Sequence, residues 1–145
     1  MIDEHLLHAY RTAKYMVEYA GELHRLHVGE TSEVVNTILR LKNLKSAYFI
    51  TPENPFSCML SAQENALRHQ RFCDELKKHK YFYLSGYGTD EAESWAKESS
   101  YLIFTDDESS MQDLAARFGQ NAFLKVTEEL PTQLFVLDAQ RYTQG

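Results

Sequence analysis

Four pairs of polar residues hold most of the chemistry this sequence offers: Asn54 with Ser57, Asn65 with Arg68, Glu98 with Ser99, and Gln120 with Asn121. Amides and hydroxyls of this kind orient a ligand through neutral hydrogen bonds, and an arginine meets an anionic group. Glu98 is the candidate catalytic group, because a carboxylate becomes a general base near neutrality when burial lifts its pKa. The candidate ligand-binding set is Asn54, Ser57, Asn65, Arg68, Ser99, Gln120 and Asn121. Each candidate also has a structural reading. Asn65 can pin the loop around Asn54-Pro55, Glu98 can pair with Arg68 to tie a helix to a strand, and Gln120 can cap a helix end. His69 reads as a hydrogen-bonded core histidine. Trp95 and Tyr87 read as core lids or, second, as stacking surfaces.

No cofactor and no metal is expected. None of the six histidines belongs to an HExxH motif. His24 and His27 fall in an expected strand, where a spacing of three puts them on opposite faces. Cys58 and Cys73 are too far apart for a CxxC motif and too few for a disulfide framework, so they read as reduced thiols. A Cys58–His69 nucleophile and base is the thinner reading of that pair. Gly86-Tyr87-Gly88 is too short for a phosphate loop, and Asp106-Asp107-Glu108 reads as a solvated helix entrance.

The elements that would position these groups follow from periodicity. Tyr15, Val17 and Tyr19 alternate with Lys14, Met16 and Glu18, a strand pattern, and Ala20-Gly21 turns the chain into a second strand over 22–28. Thr31 and Ser32 cap a helix over 33–43. Residues 45–51 form an apolar strand of the kind covered on both faces, stopped by Pro52 and Pro55. Ser61 and Glu64 make a capping box that opens a long helix to about His79, with Ala62, Ala66, Cys73 and Leu76 as its apolar face. Strands follow at 81–85 and 100–104, with one or two helical turns over 90–96 between them. A third clear helix, capped by Ser109 and Gln112, ends at Gly119, and strands at 122–126 and 134–137 complete the chain. The fold class is α+β: one domain over 1–145, a mixed β-sheet in the order β-β-α-β-α-β-β-α-β-β, and three main helices packed on the sheet.

Connectivity then places the polar groups. If the strand over 45–51 ends at one sheet edge, the helix from Ser61 starts there, and a right-handed crossover returns the strand over 81–85 in the same direction. The strand over 100–104 then starts at that edge, and the segment 119–121 enters the next strand from it. All four polar pairs converge on one rim, where loops and a helix N-terminus favour binding.

Asn54-Pro55-Phe56-Ser57, Ser61 with Asn65 and Arg68, Glu98-Ser99, and Phe118-Gly119-Gln120-Asn121-Ala122, in that order and spacing, resemble the bacterial DUF3293 family of unknown function. The resemblance runs from about Tyr10 to Val126. It implies a small, stand-alone bacterial protein of the cytoplasm and carries no activity with it. The chain departs from the family pattern at Pro52-Glu53, where a small-aromatic pair is expected.

Composition bounds the function. In a chain of 145 residues, 43% hydrophobic and 12% aromatic residues support a packed core, so disorder is excluded. There is no run long and apolar enough for a membrane span, and no signal-peptide pattern at the start, which points to the cytoplasm. A formal charge of −6 disfavours nucleic acid and anionic membranes as partners. Two functions compete: a polar small-ligand pocket at the rim, with hydrolysis as its catalytic form, and a non-enzymatic protein-binding or regulatory module. The second would act through sheet edges, homodimerisation included.

Overall fold

The computed structural model describes residues 3–54 and 58–143. The elements run α1 (Glu4–Thr12), β1 (Lys14–Tyr19), β2 (Glu22–Leu26), α2 (Glu33–Lys42), β3 (Ser46–Ile50), α3 (Ala62–Lys78), β4 (Phe82–Thr89), β5 (Glu98–Phe104), α4 (Glu108–Arg117), β6 (Ala122–Thr127), β7 (Gln133–Val136) and β8 (Arg141–Thr143). One eight-stranded sheet has the order β2-β1-β4-β5-β3-β6-β7-β8. The α+β class and the order of the expected elements hold, with α1 and β8 added at the ends.

Many local signals act as read. Ala20 and Gly21, both at positive φ, turn β1 into β2. Ser32 caps α2. The Ser61–Glu64 capping box is formed in both directions, and Gly119 follows α4 at positive φ. Other readings change. The expected mixed sheet has only antiparallel pairings between its described strands, and its one parallel contact is the isolated bridge Val28–Thr132. Residues 90–96 make no helix, because the Asp90 side chain accepts the Trp95 N–H at 2.8 Å and closes a turn instead. The cap of α4 is Asp107, which accepts from the Ser110 N–H, rather than Ser109. Gly86-Tyr87-Gly88 does not end a strand but lies within β4.

Helices cover both sheet faces. Leu7 of α1 and Val35, Ile38 and Leu39 of α2 pack with Val17, Ala47, Phe49, Leu102, Leu124 and Leu134 on one face. Phe72 and Leu76 of α3, with Met111, Leu114 and Ala115 of α4, pack with Tyr48, Ile50, Ile103 and Phe135 on the other. Every residue of β3 is buried, as its continuous apolar run requires. The apolar face expected of α3 is corrected: Phe72 and Leu76 point into the core, while Ala62 and Ala66 are exposed.

The strand directions settle the position of the rim. β5 is antiparallel to both β3 and β4, and β3 is antiparallel to β6. The two helical crossovers, β3–α3–β4 and β5–α4–β6, therefore each join strands that run the same way with another strand between them. β1 starts opposite the end of β4, Lys14 facing Thr89. The exits of β3 and β4, the entries of β1, β5 and β6, and the N-terminus of α3 share one edge.

Candidate functional site

Asn54 is the hub of this edge. It is 5% exposed and sits in the left-handed region at φ 49°, a conformation asparagine tolerates. Its Oδ1 accepts from the Leu60 N–H at 2.9 Å and from Asn65 Nδ2 at 3.1 Å, and its own N–H donates to Asn65 Oδ1 at 3.1 Å. With both acceptor directions taken, the side-chain amide is oriented and its Nδ2 donates to Glu98 Oε2 at 2.6 Å. Asn65 thus pins the loop, as one of its two readings had it. Ser57 lies outside the described residues.

Glu98 takes Asn54 as its partner and not Arg68. The Arg68 Nε donates to the Pro52 carbonyl at 2.6 Å and its Nη2 to the Phe118 carbonyl, clamping the loop after β3 to the end of α4. Gln120 Nε2 donates to the carbonyls of Glu53 at 2.9 Å and Phe118 at 3.2 Å. Ser99 gives its N–H to Glu53 Oε2 and accepts from Thr51, and Asn121 Nδ2 donates to the Tyr10 hydroxyl at 3.2 Å. The four polar pairs, Ser57 apart, meet at one rim, and much of their hydrogen bonding holds that rim together.

Strand alternation gives the rim two sides. Glu98 and Ser100 share the face of Leu102, while Ser99 and Tyr101 share that of Ile103. On the Tyr101 side, Glu53 Oε2 and His69 Nε2 are 2.7 Å apart, His69 Nδ1 and the Tyr101 hydroxyl 2.9 Å, and the Cys73 thiol donates to the same hydroxyl at 3.3 Å. His69 is thus bonded at both nitrogens, and Glu53 is the partner that sequence reasoning missed. Asn65, Ala66 and His69 line an open cleft there.

On the Glu98 side, a cavity of about 490 Å³ lies between α1 and the sheet. Leu6, Ala9 and Tyr10 form its α1 wall, Tyr15, Phe49, Leu124 and Leu134 line it from the sheet, and Asn54, Glu98 and Gln120 stand at the rim. Trp95, 57% exposed, and Met59 flank the opening. The Tyr15 hydroxyl donates to the Tyr10 carbonyl at 2.5 Å and so fastens the end of α1 over β1; burial pushes its pKa up, which keeps it a donor. The sequence signals for α1 were the Asp3 N-cap and the helical spacing of Leu6, Leu7 and Tyr10. The paired glycines of β4 were a further signal at this end of the sheet, since glycine inside a strand often marks a bend or a close approach.

Arg68, Asn65, Ser99 and Asn121 do not line this cavity. Burial raises the Glu98 carboxyl above its ordinary range, the Asn54 hydrogen bond opposes this, and the charge of Glu53 adds to it. A carboxyl raised by folding holds its proton longer in the native state than in the unfolded chain. Its destabilising effect is absent below the ordinary carboxylate range and grows as pH rises through the raised value. Glu98→Gln is therefore expected to raise Tm by a few degrees at neutral pH and to lose that gain near pH 4, read from thermal melts at both pH values. A lower Tm at neutral pH would show that the Asn54 bond outweighs burial.

Among the described residues, no group of three His, Cys, Asp or Glu side chains could hold a metal ion, and no helix is long and apolar enough to cross a membrane. The protein has a single-sheet α+β fold with a polar rim between a largely apolar cavity and a more open cleft. Residues 50–123, just over half of the chain, match the family described as Protein of unknown function (DUF3293), and the chain belongs to that family. Neither a curated protein nor a solved structure matches it.

Proposed function

We propose that the chain binds a small, largely apolar molecule in the cavity beneath α1, with Glu98 orienting its polar end. The observation that carries this reading is the union of an apolar cavity of about 490 Å³ with a carboxylate whose Oε1 has no hydrogen-bond partner among the described residues. Cavities of roughly 300–1,000 Å³ with a few polar groups are the size and kind that hold small ligands. Asn54 orients the carboxylate, while Asn65, Arg68, Ser99, Gln120 and Asn121 are positioning residues that hold the rim. With a hydrolysable ligand, the raised carboxyl of Glu98 is the base that would activate water.

Gly88 supplies the test. It lines the cavity, and a Cβ there would lie 3.7 Å from the Tyr15 ring, an ordinary contact. A leucine at this position is expected to fill the cavity without breaking the strand pairing. Ligand-observed NMR with 2-naphthol, a neutral aromatic probe, should show saturable binding to the native chain and none to Gly88→Leu or to Ala9→Leu on the opposite wall. Equal binding to all three proteins would rule the cavity out as the site. A protein-association reading has its own support in the open edge of β2 with Leu23 exposed. A stable dimer in light scattering, combined with no probe binding, would favour it.

A further inference from the structure

The hydroxyls of Tyr15, Thr51, Thr89 and Ser100 in the cavity lining are left as acceptors. The Thr51 hydroxyl donates to the Ser99 carbonyl at 2.8 Å, Thr89 to the Trp95 carbonyl at 2.9 Å, Ser100 to the Glu98 carbonyl at 2.9 Å and Tyr15 to the Tyr10 carbonyl. A hydroxyl has one proton, so each of these leaves only lone pairs for a ligand. The Gln120 amide nitrogen makes two hydrogen bonds to carbonyls, and Asn54 gives one of its two side-chain amide hydrogens to Glu98, so that its second hydrogen and the Trp95 indole N–H remain as neutral donors among the described residues. Glu98 has a carboxylate oxygen with no partner among the described residues, and no lysine, arginine or histidine is among the described lining residues. Arg68 faces carbonyls and lies outside the cavity.

An anionic head would meet lone pairs and a carboxylate with no cation to balance it. A neutral alcohol has a single proton to offer. A protonated amine has three donors and the charge that Glu98 lacks a partner for, and the aromatic rings of Tyr15, Phe49 and Trp95 add faces that attract a cation. We propose that the ligand class is a primary amine on an apolar body, its ammonium seated on Glu98 and the surrounding hydroxyl oxygens and its body in the cavity beneath α1. This rests on the cavity being the binding site, as proposed above, and names what it selects.

The test uses the full chain and straight-chain alkyl compounds of four to ten carbons that share a body and differ only in the head: amine, alcohol or carboxylate. Trp95 is the single tryptophan and stands at the opening, so its fluorescence reports occupancy. The amines are expected to bind at least about tenfold more tightly than the matched alcohols, with the carboxylates weakest. Glu98→Gln should remove most of the amine preference, bringing amine affinity to within about twofold of that of the matched alcohol in the same variant. Isothermal titration calorimetry repeats the measurement where fluorescence is silent. Alcohols or carboxylates binding as tightly as amines, or an amine preference that survives Glu98→Gln, would overturn the ligand class while leaving the cavity as the site. Binding by no member of the series, together with no 2-naphthol binding, would overturn both.

Discussion

Gly86→Ala is expected to destabilise the protein by about 4 kcal/mol or more, enough to remove a large part of the stability of a domain this size. The cause is a close approach of two strands. A Cβ on Gly86 would stand 2.0 Å from the Met16 carbonyl oxygen, 3.1 Å from the Met16 carbonyl carbon and 3.2 Å from the Val17 Cα. All three are backbone atoms of β1, paired here through Val17 and Gly86, so no side chain can swing aside to make room. The strand itself must move, and β1 carries both β2 and the fastening of α1. The measured result should be a loss in chemical denaturation accompanied by disordered β1–β2 amide resonances. Gly88→Ala is the control on the same strand face, where the nearest atom to the new methyl is 3.7 Å away in the Tyr15 ring, and there the change should be neutral or stabilising by up to about 1 kcal/mol. Equal losses in the two variants would show that the approach at Gly86 is not tight.

Asn54→Asp is expected to cost about 3–5 kcal/mol at neutral pH, although it changes almost nothing in size. The replacement oxygen would face Glu98 Oε2 across a distance now bridged at 2.6 Å by an N–H donor. Two carboxylates that close cannot both ionise, and the pair must hold a proton or separate. Because the folded variant keeps that proton when the unfolded chain has released it, stability falls as pH rises through the raised value of the pair and returns as pH falls into the ordinary carboxylate range. Urea denaturation at pH 7 and near pH 4 checks this, with most of the loss recovered at the lower pH. Asn54→Ala serves as the comparison. It leaves the Leu60 N–H and Asn65 without their partner at either pH and takes from Glu98 only the N–H that holds its carboxyl down, so its cost should fall less between pH 7 and pH 4 than that of Asn54→Asp. A pH-independent loss in Asn54→Asp would mean that Glu98 does not face the amide.

Residue patterns carried much of this architecture because they act over short range. The Ser61–Glu64 capping box, the Ala20-Gly21 turn and the run of buried residues in β3 each depend on neighbours within a few positions. Strand directions followed from chain connectivity alone, which is why the meeting of Asn54, Arg68, Glu98 and Gln120 at one rim was legible before any coordinates. The neighbours along the sheet were not. β5 slots between β3 and β4, and β3 between β5 and β6, so the helical crossovers enclose antiparallel pairs that local pattern cannot distinguish from parallel ones. The acidic stretch before α4 is another case. Asp106 and Asp107 are exposed at the helix entrance, as composition reads them, but their partners were not legible: Asp106 accepts from the Lys45 and Ser46 N–H groups, and Glu108 pairs with Lys125 at 2.5 Å and accepts from the Tyr48 hydroxyl at 3.3 Å.

By itself the order of residues determined the class of fold, the boundaries of α2, α3 and α4 to within a few positions, and which polar groups would share an edge. Tertiary structure alone decided their pairings: Glu98 with Asn54, Arg68 with two carbonyls, and His69 with a glutamate sixteen residues away. It also decided that a short N-terminal helix, with one buried residue, would close a cavity over the rim. The physical reason is range. Capping and periodicity are set by atoms a turn or a pleat apart, whereas a hydrogen-bond partner is chosen by distances of about 3 Å between groups that the chain brings together only when the whole sheet is assembled.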